Sequence, residues 1–265
     1  MKIFEIIDEE NHIDIGTLLY FERKKIFIIE LMDNLDEWTA PLIFSNFVTR
    51  GIYTIQREFS KMWVNERIIP SGRQNIGSIL KNHKLQSYDE MKFLELSNGR
   101  CSQDSMYIKK IELLPEYVQK RNLKNLIDCV ALDNNELLCF FYDDTVKKIN
   151  MDSLLSVEGA DKVLENKRLF NSCQVGVGGY YITFDDSIDI PAQILYEKGK
   201  KIPLSYKDFI SFVSSNIIDT ADACEVLECS RQNISYMVKR NQLAPLKENV
   251  KGNLFLKGDI VKYEP

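Results

Sequence analysis

Several residue patterns that support common chemistries are missing from this sequence. It has two histidines, His12 and His83, too few for a histidine-rich metal site. Its six cysteines are scattered, and none forms a CxxC pair, which indicates reduced thiols. No apolar run approaches the roughly 20 residues needed to span a bilayer, and the opening MKIFEIIDEE is acidic where a signal peptide is basic. The sequence therefore predicts a cytoplasmic protein with no membrane partner.

Motifs for catalysis and for phosphate binding are also lacking. The glycine-rich stretch 176–179 lies between predicted strands and does not open a helix, so it is not a phosphate loop. The pairs Asp143-Asp144 and Asp185-Asp186 could hold Mg²⁺, but both stand at predicted hairpin tips, where aspartate is favoured by turn geometry alone. No nucleophile motif surrounds either histidine. We therefore predict that the protein is not an enzyme and that it holds no metal or cofactor.

The chain as a whole lacks an excess of positive charge. Its 265 residues carry a formal net charge of −5, so any affinity for nucleic acid must be local. With 45% hydrophobic and 28% charged residues, the composition is that of an ordinary globular protein. The length allows two or three domains.

The C-terminal stretch 219–261 is the most informative part of the sequence. Asp219 or Thr220 can cap a first helix with apolar positions at 221, 224, 226 and 227. Glu228-Cys229 interrupts this run, and Ser230 can cap a second helix from Arg231 to about Arg240. The apolar residues at 234, 237 and 238 follow helical spacing and would face the first helix. This order predicts two short helices joined by a tight turn.

The opposite face of the second helix is polar and basic. It carries Arg231, Gln232, Asn233, Tyr236, Lys239 and Arg240. Arg, Gln and Asn side chains match the edges of guanine and adenine in the major groove of DNA. Between residues 229 and 262 there are seven Lys or Arg against two acidic residues, although the whole of 219–265 is neutral. This one-sided charge favours phosphate contact; an exposed polar helix without a partner is the plainer alternative.

The run DACEVLECSRQNISYMVKRNQLAP resembles the excisionase and MerR-type winged helix-turn-helix family. The family pattern is a small-residue helix, a Cys/Val-Ser turn, and a second helix that opens with Arg-Gln. By this resemblance residues 247–256 would form the wing, with Gly252-Asn253 as its turn. It implies base contacts from the N-terminal part of the second helix and phosphate contacts from its end and from the wing. The predicted DNA-binding residues are Ser230, Arg231, Gln232, Asn233, Tyr236, Lys239, Arg240, Lys247 and Lys251.

Upstream of this module the sequence predicts two α+β domains. Residues 1–112 combine strands at 1–7, 17–20 and 25–31 with helices near 59–69, 72–82 and 88–97. They resemble only N-terminal regions of uncharacterised bacterial proteins. After a predicted linker, LLPEYVQKRN, residues 123–204 form a β-rich unit that is similar to a small bacterial domain family of unknown function. The predicted fold is thus α+β: two small α+β domains followed by a connecting helix, 205–218, and the winged helix-turn-helix in 205–265.

One polar cluster in the N-terminal domain is a candidate site. Arg67, Arg73, Gln74 and Asn75 surround a Pro-Ser-Gly turn at a predicted helix N-terminus, where they could bind an anion or a partner carboxylate. Equally, Arg67 and Arg73 could pair with Asp89, Glu90 or Asp104 and stabilise the domain, which is the reading we favour.

These patterns predict a sequence-specific DNA-binding protein, a bacterial-type transcriptional regulator whose N-terminal domains serve sensing or assembly. Its expected partner is double-stranded DNA, with a homodimer or a second protein as further partners. The competing hypothesis is an adaptor protein whose helix-turn-helix docks a protein. The two hypotheses are distinguished by how binding affinity depends on salt, because affinity for DNA falls steeply as the salt concentration rises.

Overall fold

The computed structural model describes residues 1–250 and 252–256. The chain divides into two compact units: unit 1 comprises residues 1–143 and 147–200, and unit 2 comprises residues 144–146 and 201–265. The structure mixes helices with antiparallel strand pairs, which confirms the α+β class. The domain boundaries predicted at 1–112, 123–204 and 205–265 stay a prediction.

The first part of unit 1 is built on one antiparallel sheet. Its elements are β1 Lys2–Asp8, β2 Ile13–Phe21, β3 Ile26–Leu31, α1 Leu42–Thr49, β4 Thr54–Ile55, α2 Arg57–Asn65, α3 Ile76–Asn82, α4 Glu90–Ser97, β5 Met106–Ile111 and α5 Glu116–Asn122. The strand order is β4-β3-β2-β1-β5, and each neighbouring pair is antiparallel.

Both faces of this sheet are buried, as the nearly continuous apolar strand IFIIEL of β3 indicates. Successive side chains on a strand point to opposite faces. One face, with Phe27 and Ile29, packs on α1, α2 and α4 through residues such as Trp63. The other face, with Ile28, packs on Val118 of α5 and on Tyr181. The second face therefore joins the N-terminal sheet to later parts of the chain.

The second part of unit 1 surrounds its own hydrophobic cluster. Its elements are β6 Leu126–Leu132, β7 Glu136–Phe141, β8 Val146–Asn150, α6 Ala160–Glu165, α7 Lys167–Phe170, β9 Cys173–Val175, β10 Tyr181–Phe184, β11 Ile188–Pro191 and α8 Ala192–Lys198. Strand β12, Lys200–Ile202, begins at the last residue of unit 1, and its other two residues belong to unit 2. β8, β7 and β6 are consecutive neighbours in one sheet, and β9, β10 and β11 form another. Asp144, Asp185 and Asp186 have positive φ angles, consistent with the turn role predicted for the aspartate pairs.

Several predicted elements of unit 1 need correction. Residues 113–122 contain helix α5, whose Val118 is fully buried, and are therefore not a free linker. The helix expected at 72–82 begins only at Ile76, after Asn75, and not after Ser71. Helix α8 was not predicted, because seven residues behind a proline are too short to show helical periodicity.

A long-range ion-pair cluster further ties the two parts of unit 1 together. At the start of α2, Arg57 lies 2.6 Å from a carboxylate oxygen of Asp186 and 2.6 Å from one of Asp189. Its guanidinium also lies 5.1 Å from the centre of the Tyr181 ring. These contacts join the start of α2 to β11 and to the turn that precedes it.

Unit 2 contains α9 Tyr206–Asn216, β13 Ile217–Ile218, α10 Thr220–Val226, α11 Arg231–Lys239, β14 Lys247–Val250 and β15 Gly252–Leu256. Its sheet has the order β13-β15-β14 with antiparallel pairs. The helix expected at 205–218 thus ends at Asn216, because Ile217 and Ile218 pair with Leu256 and Phe255.

Two further observations concern membrane-spanning helices and the cysteine thiols. Among the described residues, no helix is long and apolar enough to cross a membrane. The six cysteines carry free thiols, of which Cys129 and Cys139 are buried.

Candidate nucleic-acid interface

Helix α10 is fixed at its N-terminus by a reciprocal cap. The carboxylate of Asp219 accepts hydrogen bonds from the backbone N–H groups of Ala221 and Asp222, at 2.6 and 3.0 Å. The side chain of Asp222 in turn accepts the N–H of Asp219 at 3.2 Å. The backbone hydrogen bonds from Asp222 and Ala221 lower the pKa of Asp219. The predicted start of this helix at Asp219 or Thr220 is confirmed.

A tight turn joins α10 to α11. Glu228 has φ +47°, in the left-handed region, and the N–H of Cys229 donates to the carbonyl of Cys224 at 3.0 Å. Ser230 then caps α11, because its hydroxyl accepts the N–H of Asn233 at 3.3 Å. The predicted role of Ser230 as a helix cap is thus confirmed.

The inner faces of the two helices form a small core. Ala223 of α10 and Ile234 of α11 are buried together with Leu243 and Phe255. Met237 and Val238 pack against this cluster, as the spacing predicted. Ala223 is the fully buried alanine of α10, whereas Ala221, which the sequence favoured, is half-buried. This packing determines which face of α11 remains outside.

The outer face of α11 is exposed along its length. The exposed residues are Arg231, Gln232, Asn233, Ser235, Tyr236 and Lys239, followed by Arg240 at the C-terminal end of the helix. The guanidinium of Arg240 lies 4.4 Å from the ring centre of Tyr236, whose exposed fraction is 49%. Arg231, Gln232 and Asn233 occupy the first turn, the part of a helix that DNA-reading proteins insert into the groove.

Charge divides between the two helices. Exposed acidic residues lie on α10 and the turn after it, and exposed basic residues lie on α11 and at the start of β14. The acidic residues are Asp219, Asp222, Glu225 and Glu228; the basic residues are Arg231, Lys239, Arg240 and Lys247. An anionic partner is therefore attracted to α11 and repelled by α10.

The hairpin of β14 and β15 is attached to the start of α10. The hydroxyl of Thr220 lies 3.4 Å from both the backbone nitrogen and the backbone oxygen of Asn253. Gly252 and Asn253 are the first residues of β15 and not the hairpin turn that the sequence suggested, since Gly252 pairs with Val250. Lys247 is exposed, while Lys251 lies outside the described residues.

The residues of the second candidate site, around the Pro-Ser-Gly turn, are not all exposed to solvent. Arg67 is buried, stacks 3.8 Å from the ring centre of Trp63, and pairs with Asp104. Its Nη1 donates to the carbonyl of Trp63 at 3.1 Å. Arg73, Gln74 and Asn75 are exposed. Arg67 is therefore engaged in the ion pair with Asp104, one of the structural pairings that the sequence suggested, and only the other three residues face solvent.

The sequence patterns do not predict a buried charged centre that Glu30 and Arg121 form in unit 1. Glu30 on β3 is fully buried and accepts hydrogen bonds from Arg121 at 2.6 Å and from Thr54 at 2.9 Å. Burial raises the pKa of Glu30, although Arg121 acts in the opposite direction. The available signal was a glutamate inside an otherwise apolar strand that is buried on both faces.

Within the described residues, no group of three or more His, Cys, Asp or Glu side chains is arranged to hold a metal ion. No family model, curated protein or solved structure matches this chain.

Proposed function

We propose that this protein binds DNA in a sequence-specific manner and that unit 2 acts as its winged helix-turn-helix. In this proposal α10 and α11 form the helix pair, and β14 and β15 form the wing. The proposal rests mainly on the outer face of α11, whose first turn presents forked polar side chains to solvent. The inner face of the same helix packs in a buried core.

Two parts of this face serve different kinds of contact. Arg231, Gln232 and Asn233 stand where base edges are read, because their side chains offer paired donors and acceptors. Lys239, at the other end of α11, and Lys247 on β14 supply positive charge for the phosphate backbone. The Arg240–Tyr236 stack orients a guanidinium that can donate to a phosphate while its face covers the ring.

Rigidity of the helix pair supports this assignment. Caps at Asp219 and Ser230 fix the start of each helix, and the Thr220–Asn253 contacts attach the hairpin. A protein that recognises a DNA sequence binds more tightly when the contacting side chains are already ordered, because ordering them on binding reduces affinity. In the proposal the protein is a bacterial-type transcriptional regulator in which unit 1 serves sensing or assembly.

Selection from a pool of random duplexes tests the proposal. The full chain is compared with Arg231→Ala, Gln232→Ala and a control, Lys162→Ala, which removes an exposed lysine of unit 1. The wild type and the control should enrich one motif. Each α11 variant should lose about 1–3 kcal/mol of base discrimination at one position. A palindromic motif with half-sites one helical turn apart, about 10 base pairs, would indicate a dimer.

A protein-docking module is the second candidate, favoured by one observation. Tyr236 and Arg240 form a half-exposed stack, and both residue types are enriched at the centres of protein interfaces. If random duplexes yield no motif even at low salt, the DNA proposal fails. Capture experiments with Tyr236→Ala as the negative control would then test the docking function.

A further inference from the structure

Unit 1 contains a polar pocket beside its buried charged centre, with a volume of about 370 Å³. The pocket is lined by residues from β4, α5, the segment after α5, and the start of α8, together with Tyr180. These elements come from both parts of unit 1. Such a meeting place of separate layers is where small-molecule sites commonly form.

One wall of the pocket is held rigidly. The guanidinium of Arg121 lies 5.4 Å from the ring centre of Tyr53 and 5.2 Å from that of Tyr117. It also donates to Glu30 at 2.6 Å and to the carbonyl of Leu31 at 2.5 Å. The hydroxyl of Tyr117 is held in turn by the hydroxyl of Thr17, which lies 2.7 Å away. The wall is therefore preformed and does not need a ligand to order it.

The lining of the pocket also includes a residue with an unused hydrogen-bond acceptor. Gln56, which precedes α2, lines the pocket, and its amide oxygen is buried without a hydrogen-bond partner among the described residues. Buried polar atoms in native proteins are nearly always paired, so an unpaired one needs an explanation. The oxygen is covered in this structure, so the Gln56 amide must turn toward the pocket for a ligand N–H to supply the missing partner.

The charges around the pocket are unequally matched. Lys120, Arg121 and Lys124 line it, opposed by Asp33. Lys120 pairs with Glu116 at 2.8 Å, and Arg121 pairs with Glu30 and Asp33. Lys124 has no carboxylate within 4.0 Å in the described part of the chain, and its ammonium lies 5.5 Å from the ring centre of Tyr196. The three carboxylates Glu30, Asp33 and Glu116 balance the three cations in number, so the pocket has no net positive charge. Lys124 is nevertheless the cation without an ion-pair partner, and an anion would bind beside it.

We propose that this pocket binds a small organic anion that also carries an amino group, with the anionic group at Lys124 and the N–H donor at the amide oxygen of Gln56. A carboxylate and a phosphate monoester share this chemistry. The site would give unit 1 the sensing role in the proposed function. Its occupancy is nevertheless a property of unit 1 and can be measured without DNA, so its failure is distinguishable from a failure of DNA binding.

Calorimetric titration of the full chain with four probes tests the site. L-Glutamate and O-phospho-L-serine carry both an anionic group and an amino group, whereas glutarate and inorganic phosphate lack the N–H donor. At least one amino-bearing probe should bind saturably in the millimolar range or below, and more tightly than its amine-free counterpart. The tighter of the two amino-bearing probes identifies carboxylate or phosphate as the preferred anion.

Matched variants locate the binding. Lys124→Gln and Gln56→Leu should each weaken the best probe by about tenfold or more, since each removes one partner of a paired contact. Lys162→Gln, an exposed lysine elsewhere in unit 1, should leave the affinity unchanged. Because Lys124 is exposed, its replacement leaves folding intact and keeps the test decisive if Gln56→Leu is unstable. The absence of saturable binding by all four probes, or equal affinity in Lys124→Gln and the wild type, would overturn the assignment.

Discussion

Replacing Arg121 with methionine probes the buried charged centre of unit 1. The side chain of Arg121 is 19% exposed, and that of its partner Glu30 is 0% exposed. Besides the ion pair, Arg121 donates to the carbonyls of Tyr53 and Leu31. Methionine keeps an apolar chain between the aromatic rings but removes every hydrogen bond. The variant therefore leaves Glu30 buried without a cation, and it also leaves Asp33 and the carbonyls of Tyr53 and Leu31 without their guanidinium partner.

The expected loss is large relative to the stability of a domain. Breaking a buried ion pair by removing one partner costs about 3–5 kcal/mol. Global stabilities are about 5–15 kcal/mol, so Arg121→Met should still fold at room temperature but should unfold at a clearly lower denaturant concentration. Glu30→Leu combined with Arg121→Met removes both charges and should recover a large part of the loss, because no charge is then left buried.

The pH dependence provides an independent check. Burial already raises the pKa of Glu30 above its ordinary value of 4.5, against the opposing effect of Arg121. Without Arg121 the folded-state pKa rises further, so the folded state binds a proton more readily than the unfolded state does. Stability then falls as pH rises from the unfolded to the folded pKa. The deficit of Arg121→Met should accordingly shrink when the protein is acidified from neutral pH toward the ordinary pKa of glutamate.

Denaturant unfolding of the wild type and both variants, at neutral and at mildly acidic pH, measures these differences. The stability difference between the double variant and the wild type should not shrink in this way on acidification, since the double variant has no carboxylate at position 30. A deficit of Arg121→Met that stays the same at both pH values, or a double variant less stable than the single one, would refute the account of a buried charge as the cause.

Two further substitutions test packing and backbone geometry. Ile234→Ala truncates a side chain that is 1% exposed in the small core of unit 2, and it should lower the free energy of unfolding by about 2–5 kcal/mol. Near-UV circular dichroism should show the loss of packing, and DNA titration should show weaker binding. Unchanged stability would mean that Ile234 does not belong to a core. Gly179 has φ +70°, and a Cβ at this position would lie 2.1 Å from the carbonyl oxygen of Leu126. Gly179→Ala should therefore destabilise unit 1 by about 1–3 kcal/mol in thermal unfolding. The control Gly72→Ala should be nearly neutral, because a Cβ there would meet open space.

Much of the secondary structure follows from local pattern. β1, β2 and β3 show as apolar runs separated by polar turns, and α11 shows as a capped segment with apolar residues at helical spacing. Each of these signals lies within about ten neighbouring residues. They could therefore be read without knowing what the segment packs against.

Long-range partners could not be predicted in this way. The Arg57 contacts with Asp186 and Asp189 join residues that are more than a hundred positions apart. Glu30 meets Arg121 only because α5 packs on the second face of the sheet. The segment containing α5 was read as a linker, since seven residues with one buried valine carry too weak a period to indicate a helix. The candidate interface was predictable because it lies on one continuous stretch, whereas the pocket in unit 1 was not, because its walls come from distant parts of the chain.

The salt dependence of DNA affinity shows whether α11 contacts the phosphate backbone. The full chain, Lys239→Ala and the control Lys162→Ala are titrated with the selected duplex over a range of salt concentrations. If α11 contacts DNA, we expect the logarithm of the affinity to fall with the logarithm of the salt concentration, with a slope of about −0.9 for each phosphate contacted. The control should show the same slope, and Lys239→Ala should show a slope reduced by about one unit. An affinity that does not change with salt, or a slope that Lys239→Ala leaves unaltered, would contradict the assignment of α11 as the DNA-contacting helix.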